Sequence, residues 1–193
     1  MFEPRTALQG AHFSGDITVT DAGLVGMIAI RGSLTDPALC AAVAEVTGHP
    51  VPATRKMSGD ATDGLAWMSA DELMLFCAYG DAPTVAARLV DALGDVHSMV
   101  SVLSDARAVI RLHGDVVREV LAKGAPVDLA PDQFAQGDIR RSRLGQVAVA
   151  FWMTGADSAE LVCFRSVAGF VFEWLSTASQ SGSAVGYFAT PRR

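Results

Sequence analysis

One pattern of strand, glycine and helix occurs twice in this chain of 193 residues. Residues 28–32 (IAIRG) and 109–114 (VIRLHG) each read as the end of a strand that closes on a glycine. In both places a helix start follows, then two strand-like runs, and then a second helix. We infer a degenerate internal repeat, the alternative being a coincidence between two unrelated α+β stretches. The sequence therefore predicts an α+β fold of two β-α-β-β-α halves, each close to a ferredoxin-like unit.

Helix-start and chain-breaking signals set the boundaries of these halves. Asp36 followed by Pro37 is typical of a helix start, because the carboxylate can accept a free backbone amide and proline has no amide to leave unpaired. Upstream, Pro4, Gly10 and Gly15 interrupt any regular period. The sequence predicts an N-terminal arm at 1–20, a single α+β domain at 21–178 with halves at about 21–103 and 104–178, and a flexible C-terminal tail at 179–193.

The composition is apolar for a protein that is not embedded in lipid. Hydrophobic residues make up 50% of the chain and charged residues 19%, and the mean hydropathy is +0.31. An average soluble domain has roughly 25% charged residues. Either the chain is simply rich in alanine and valine, or part of its apolar surface is covered by partner subunits. Composition alone does not choose between these interpretations.

Charge and cysteine usage restrict the classes of partner and compartment. The net charge of -6 disfavours nucleic acid and anionic lipid, which attract clustered Lys and Arg. Cys40, Cys77 and Cys163 are odd in number and far apart, and no C-x-x-C pair occurs, so neither a disulfide framework nor a zinc site is indicated. We expect a reducing, cytoplasmic location and no membrane partner.

No motif in the sequence indicates chemistry within the chain. The dinucleotide fingerprint G-x-G-x-x-G does not follow a predicted strand, and the phosphate-binding loop G-x-x-x-x-G-K-[ST] is missing. The histidines do not have H-E-x-x-H spacing, and no G-x-S-x-G turn presents a nucleophile. The sequence therefore predicts no catalytic, cofactor-binding or metal-binding residue.

Three arginines in the run 138–145 (DIRRSRLG) are candidates for contact with a partner. Strand alternation places Arg141 and Arg143 on one face and Arg140 on the other. They could form a solvated strand edge with local salt bridges. Alternatively, they could dock carboxylates of a partner, because the planar guanidinium pairs with a carboxylate in a defined geometry.

Three aromatic residues near the C-terminus are further contact candidates. The last predicted helix, from about residue 166, has an apolar stripe that Phe172 lies outside. A lone exposed phenylalanine needs no explanation, yet a helix buried between subunits would also show one. Tyr187 and Phe188 lie in the predicted tail and could contact a partner in the same way. The stripe comprises Val167, Phe170, Val171, Trp174, Leu175 and Ala178.

Several stretches resemble the gamma subunits of heterotetrameric sarcosine oxidase. They cover most of the chain from about residue 60 onward in the family's order, and their combined specificity is high although each is modest alone. The stretches are LAWMSADELMLFCA (65–78), VSVLSDARAVIRLHGDVVREVLAKGAPVDLAP (100–131), FAQGDIRRSRLGQVAVAFW (134–152) and LVCFRSVAGFVFEWL (161–175).

The resemblance implies a fold similar to the N-terminal part of the folate-binding aminomethyltransferase (glycine-cleavage T-protein) group. It also implies alpha, beta and delta partner subunits, which together carry FAD, FMN, NAD, tetrahydrofolate and zinc, while the gamma chain binds no cofactor. Such an enzyme demethylates sarcosine to glycine, produces hydrogen peroxide and passes the one-carbon unit to tetrahydrofolate. The alternatives are a free-standing folate-binding or one-carbon transfer protein of the same fold, and an interaction module of another amine-demethylating dehydrogenase.

Overall fold

The computed structural model describes residues 3–188, which form two compact units. The central unit is Leu24–Arg107, and the discontinuous unit joins the chain before it to the chain after it. The elements in chain order are β1 (His12–Ser14), β2 (Thr18–Asp21), β3 (Val25–Gly32), α1 (Pro37–Thr47), β4 (Met57–Gly59), β5 (Gly64–Ser69), β6 (Glu72–Ala78), α2 (Ala82–Leu93), β7 (Ser98–Val102), β8 (Arg107–His113), α3 (Val117–Ala122), β9 (Ile139–Leu144), β10 (Val147–Met153), β11 (Ser158–Phe164) and α4 (Ala168–Ala178).

The central unit is a five-stranded antiparallel sheet with two helices. Its strand order is β4-β5-β6-β3-β7, and the long strand β3 pairs with β6 on one side and β7 on the other. Apolar residues of α1 and α2 pack with those of β3, β5 and β6 in one core, which includes Ile28, Leu39 and Leu89. The predicted helix start is confirmed, because Asp36 Oδ1 accepts the Ala38 amide at 2.9 Å.

The discontinuous unit contains a six-stranded sheet in the order β1-β2-β8-β11-β10-β9. The β1–β2, β2–β8, β11–β10 and β10–β9 pairs are antiparallel. Its core combines apolar side chains of β2, β8, β10 and β11 with those of α3 and α4, among them Val120, Phe151 and Val171. The chain is thus a mixed α+β protein with two sheets.

Each unit has one strand more between its helices than the predicted β-α-β-β-α order. Three strands, β4 to β6, lie between α1 and α2, and three, β9 to β11, between α3 and α4. The three-residue strand β4 is too short to show a period of its own. The extra strand β4 lies at the edge of the central sheet beside β5, and β3 pairs antiparallel with β6. The predicted β-α-β-β-α order is therefore incomplete.

The N-terminal segment differs from the predicted irregular arm. Strands β1 and β2 form a hairpin in the discontinuous sheet, and Ile17 and Val19 are buried. These strands are only three and four residues long, so their alternation is invisible beside the breaking residues. Within residues 3–188, no helix is long and apolar enough to cross a bilayer.

Candidate functional site: partner-contact surfaces

The arginine strand β9 lies at one edge of the six-stranded sheet. Arg141 and Arg143 are exposed on one face, while Arg140 is half-buried on the other. This is the arrangement that strand alternation predicts. The register explains it, because Arg143 is opposite Ala148 and Arg141 opposite Ala150 on β10, where the alanines leave room for long side chains. Two guanidiniums are therefore presented side by side.

Arg140 is used within the chain. Its guanidinium carbon lies 5.1 Å from the centre of the Phe134 ring, a cation–π contact. Its Nη1 donates to the Ile139 carbonyl at 3.0 Å and its Nη2 to the Gln133 carbonyl at 3.3 Å. Arg140 therefore stabilises the segment that enters β9, whereas Arg141 and Arg143 are the exposed arginines of this strand.

The burial of two phenylalanines in helix α4 is the reverse of the prediction. Phe170, predicted to be buried on the apolar stripe, is 51% exposed, while Phe172, predicted to lie off it, packs half-buried against the core. Ala168, Val171 and Leu175 are the buried residues of the helix. Phe172 follows Ala168 by four positions and so shares its face. Phe172 is thus corrected to a core contact, and Phe170 replaces it as an exposed aromatic.

Phe170 borders an apolar groove of about 470 Å³ along the outer side of α4. Trp174, one turn further along, forms its wall and packs closely on Gly124, where a Cβ would come within 2.4 Å of the indole ring. Sequence periodicity missed this groove, because Phe170 and Trp174 fit an apolar core stripe equally well. The lining residues are Lys123, Phe170, Glu173, Trp174, Thr177 and Ala178.

The C-terminal segment is held by a carboxylate from the β1–β2 turn. Asp16 accepts the backbone amides of Gly182 at 2.8 Å and of Ser183 and Ala184 at 2.9 Å. The Gly182 hydrogen bond is the main reason that the pKa of Asp16 lies below its ordinary value, and it outweighs the opposing effect of desolvation. Three amides converging on one carboxylate fix the backbone of this segment.

Glu119 of helix α3 and Lys123, which directly follows the helix, supply two more charged side chains to the same segment. The buried carboxylate of Glu119 accepts the amides of Val185, Gly186 and Tyr187, the last two at 2.9 and 3.1 Å. Lys123 Nζ donates to the Ala178 carbonyl at 2.7 Å and to the Ser183 carbonyl at 2.9 Å. Residues 179–188 are therefore ordered, unlike the predicted flexible tail, whose last part, 189–193, lies outside the described residues.

The two aromatic residues of this segment face different ways. Phe188 packs against the core of the discontinuous unit, whereas Tyr187 is 80% exposed. Their rings meet edge to face with centroids 4.9 Å apart. Polar anchors thus hold the segment while Tyr187 points to solvent, which suits a contact with another protein.

Removing the Asp16 carboxylate is expected to release this segment. In Asp16→Asn, chymotryptic cleavage after Tyr187 at pH 7 should accelerate several-fold, because the neutral amide side chain is a weaker acceptor for three amides. Asp91→Asn, on the exposed side of α2, is the control and should leave the cleavage rate unchanged. Equal cleavage of wild type and Asp16→Asn would show that the carboxylate does not hold the segment.

Acid should also release the C-terminal segment of the wild type, because it protonates Asp16. A carboxyl group whose pKa is lowered by folding contributes stability above its unfolded pKa of about 3.9, and that contribution is lost as the pH falls through the folded pKa. The Gly182 amide resonance should therefore move with a midpoint below about pH 3.9 in an NMR titration. A midpoint at or above about pH 3.9 would contradict the hydrogen bond, because it would mean that folding does not lower the pKa of Asp16.

A serine, a histidine and an aspartate form a hydrogen-bonded chain in the central unit. His49 Nδ1 lies 3.1 Å from Ser58 Oγ, and its Nε2 lies 2.9 Å from Asp63 Oδ1. In a nucleophilic triad the carboxylate is buried, whereas the Asp63 side chain is 79% exposed. These contacts tie the end of α1 to the β4–β5 turn. Among residues 3–188, no cluster of three or more His, Cys, Asp or Glu side chains could hold a metal ion.

Comparison with protein families and sequences gives consistent matches. Residues 31–181 match the model of the sarcosine oxidase, gamma subunit family. The sarcosine oxidase subunit gamma of Corynebacterium sp. (strain U-96) is 30% identical over 185 residues, which are 92% of this chain and 87% of that protein. The protein of the same name from Corynebacterium sp. (strain P-1) is 32% identical over 153 residues, covering 78% and 72% of the two chains.

Two solved structures are similar in fold. One chain of the heterotetrameric sarcosine oxidase from Corynebacterium sp. U-96, solved in complex with pyrrole 2-carboxylate, matches with a TM-score of 0.81 and 27% identity over 90% of both chains. The glycine cleavage system aminomethyltransferase T from Bartonella henselae matches with a TM-score of 0.56 and 17% identity over 80% of this chain and 44% of that one. The second match concerns the fold alone.

Proposed function

Because this chain belongs to the sarcosine oxidase gamma subunit family, we propose that it serves as the gamma subunit of a heterotetrameric sarcosine oxidase, an oxidoreductase complex. The observation that carries this proposal is the match along nearly the whole chain, in sequence and in fold, to a subunit of such an enzyme. The similarity extends over both units, so it does not come from one common motif.

The chain acts in this proposal as a scaffold without catalytic residues of its own. Alpha, beta and delta subunits would hold FAD, FMN, NAD, tetrahydrofolate and zinc, and would demethylate sarcosine to glycine with production of hydrogen peroxide. The sequence supports this division, because it lacks the glycine-rich fingerprints of dinucleotide sites. A cytoplasmic location is part of the proposal and is supported by three cysteines that are not joined in disulfides.

The strand orders of the two units support a second proposal, that the chain contains an internal repeat. The neighbour order β4-β5-β6-β3-β7 of the central sheet corresponds strand by strand to β9-β10-β11-β8-β2 of the other. A helix follows the first strand and the last of the three successive strands in both. In the discontinuous unit β2, which comes from the N-terminal segment, takes the place that β7 has in the central unit. We therefore propose that the two units are copies of one motif.

Co-purification with the partner subunits tests the function directly. We would co-express this chain, tagged, with the alpha, beta and delta chains and assay the eluate for flavin absorbance and sarcosine-dependent peroxide. Both should appear together, because the chain has no flavin site of its own in the proposal. A colourless eluate without oxidase activity, with tetrahydrofolate bound at micromolar affinity, would instead support the free-standing folate-binding alternative.

The exposed arginine pair is expected to contribute to assembly. The double variant Arg141→Glu/Arg143→Glu should reduce affinity for the partner subunits on the order of ten- to a hundred-fold, since reversed charges repel the carboxylates that the arginines would bind. Arg5→Glu/Arg88→Glu changes the net charge by the same amount at other exposed positions. If both double variants assemble like the wild type, the arginine pair is not a docking patch.

A further inference from the structure

Strand β7 forms an edge of the central sheet, and within residues 3–188 its one strand partner is β3. The Leu103 amide donates to the Met27 carbonyl at 2.7 Å. Leu103 and Met27 are therefore a hydrogen-bonded residue pair that continues the pairing of β7 with β3. Such pairs alternate in antiparallel strands. The backbone groups of Met99 and Ser101 therefore bond to β3. Those of Ser98, Val100 and Val102 point away from the sheet.

Strand β7 carries no charged residue and exposes one apolar side chain on each face of the sheet, Met99 on one face and Val102 on the other. Its sequence, SMVSV, contains neither a charged residue nor proline, and the side chains of Met99 and Val102 are 48% and 45% exposed. Natural proteins protect open sheet edges with charges, prolines, bulges or very short strands.

The other sheet edges of residues 3–188 have such protection. Strand β9 contains three arginines, and β1 and β4 have three residues each. Strand β7 lacks this protection and has exposed apolar side chains, as expected of a sheet edge that another protein covers in an assembly.

We propose that β7 binds an extended segment of a partner subunit, which adds a sixth strand to the central sheet. This inference rests on the proposed function and specifies one of its contacts. Outward backbone N–H and C=O groups select an extended peptide, and Met99 on one face of the sheet and Val102 on the other favour an apolar side chain beside each of them. A partner subunit is favoured over a second copy of this chain because a heterotetramer brings different subunits together.

Hydrogen exchange tests the added strand without any substitution. The amides of Ser98, Val100 and Val102 should exchange rapidly in the free chain and at least about ten-fold more slowly in the assembled oxidase. The Ser101 amide, which bonds to β3, should be protected in both states and serves as the internal reference. Assembly without added protection at the three outward amides would overturn the inference while leaving the proposed function intact.

A matched pair of substitutions separates the backbone contact from general damage to β7. Val102→Pro removes an outward amide and should weaken binding of the partner roughly three- to ten-fold, the value of one backbone hydrogen bond. Val102→Thr keeps the amide and the branched shape, so it should bind like the wild type. Equal binding by both variants would overturn the inference, and so would protection of β7 in a homodimer of this chain alone. Failure of the wild type to assemble at all would instead count against the proposed function.

Discussion

Replacing Glu160 with alanine is expected to lower the free energy of unfolding by about 2–4 kcal/mol. Glu160 is buried on β11, where its Oε1 accepts from Arg111 Nε on β8 and its Oε2 from Trp152 Nε1 on β10, both at 3.1 Å. One carboxylate thus joins three adjacent strands. Its removal takes an ionised acceptor from a buried indole and leaves a cavity beside it.

Urea denaturation of the purified chain measures this effect. Glu160→Gln is the matched variant, because it keeps the size of the side chain and one acceptor oxygen but loses the negative charge. Its loss of stability should be clearly smaller than that of Glu160→Ala, since Arg111 is half-exposed and can be hydrated in place of its ion pair. Equal stabilities of the alanine variant and the wild type would refute the structural role of Glu160.

Arg118→Met is the other substitution with a large expected effect, again about 2–4 kcal/mol. Arg118 is buried on α3, and its Nη1 donates to the carbonyls of Leu129 at 2.9 Å and Phe134 at 2.7 Å. These bonds hold the long connection between α3 and β9. Methionine fills a similar volume but leaves both carbonyls without this donor. Burial lowers the pKa of Arg118, yet arginine stays charged at neutral pH.

Arg88→Met on helix α2 provides the control for this substitution. Arg88 is exposed, so its replacement should change the free energy of unfolding by less than about 0.5 kcal/mol. Both variants are compared by urea denaturation at pH 7. A cost of less than about 1 kcal/mol for Arg118→Met would mean that water replaces the guanidinium at the two carbonyls.

The residues proposed to contact partners could be found from sequence only in part. Alternation along β9 correctly assigned Arg141 and Arg143 to one face, because a strand has a period of two and the face follows from residue number alone. The same reasoning failed for Phe170 and Phe172. The apolar stripe of α4 is wide, and which of its sides is buried depends on the elements packed against the helix.

Long-range polar contacts were also beyond sequence reasoning. Asp16 and Ser183 are 167 residues apart, and Glu119 and Tyr187 are 68 apart, yet these contacts order the C-terminal segment. A segment rich in serine and glycine predicts flexibility when it is considered alone. Carboxylates from the β1–β2 turn and α3 supply the missing interactions.

The family, the α+β class, the helix starts and the alternation of strand faces follow from the amino-acid sequence. These features depend on residues close together in the chain, or on similarity that extends along it. Four other features become visible only in the folded chain: the neighbour order of the strands, the membership of β2 in the six-stranded sheet, the exposed face of α4 and the open edge of β7. Each of these depends on which distant segments pair or pack, because burial and hydrogen-bond partners are properties of the folded chain.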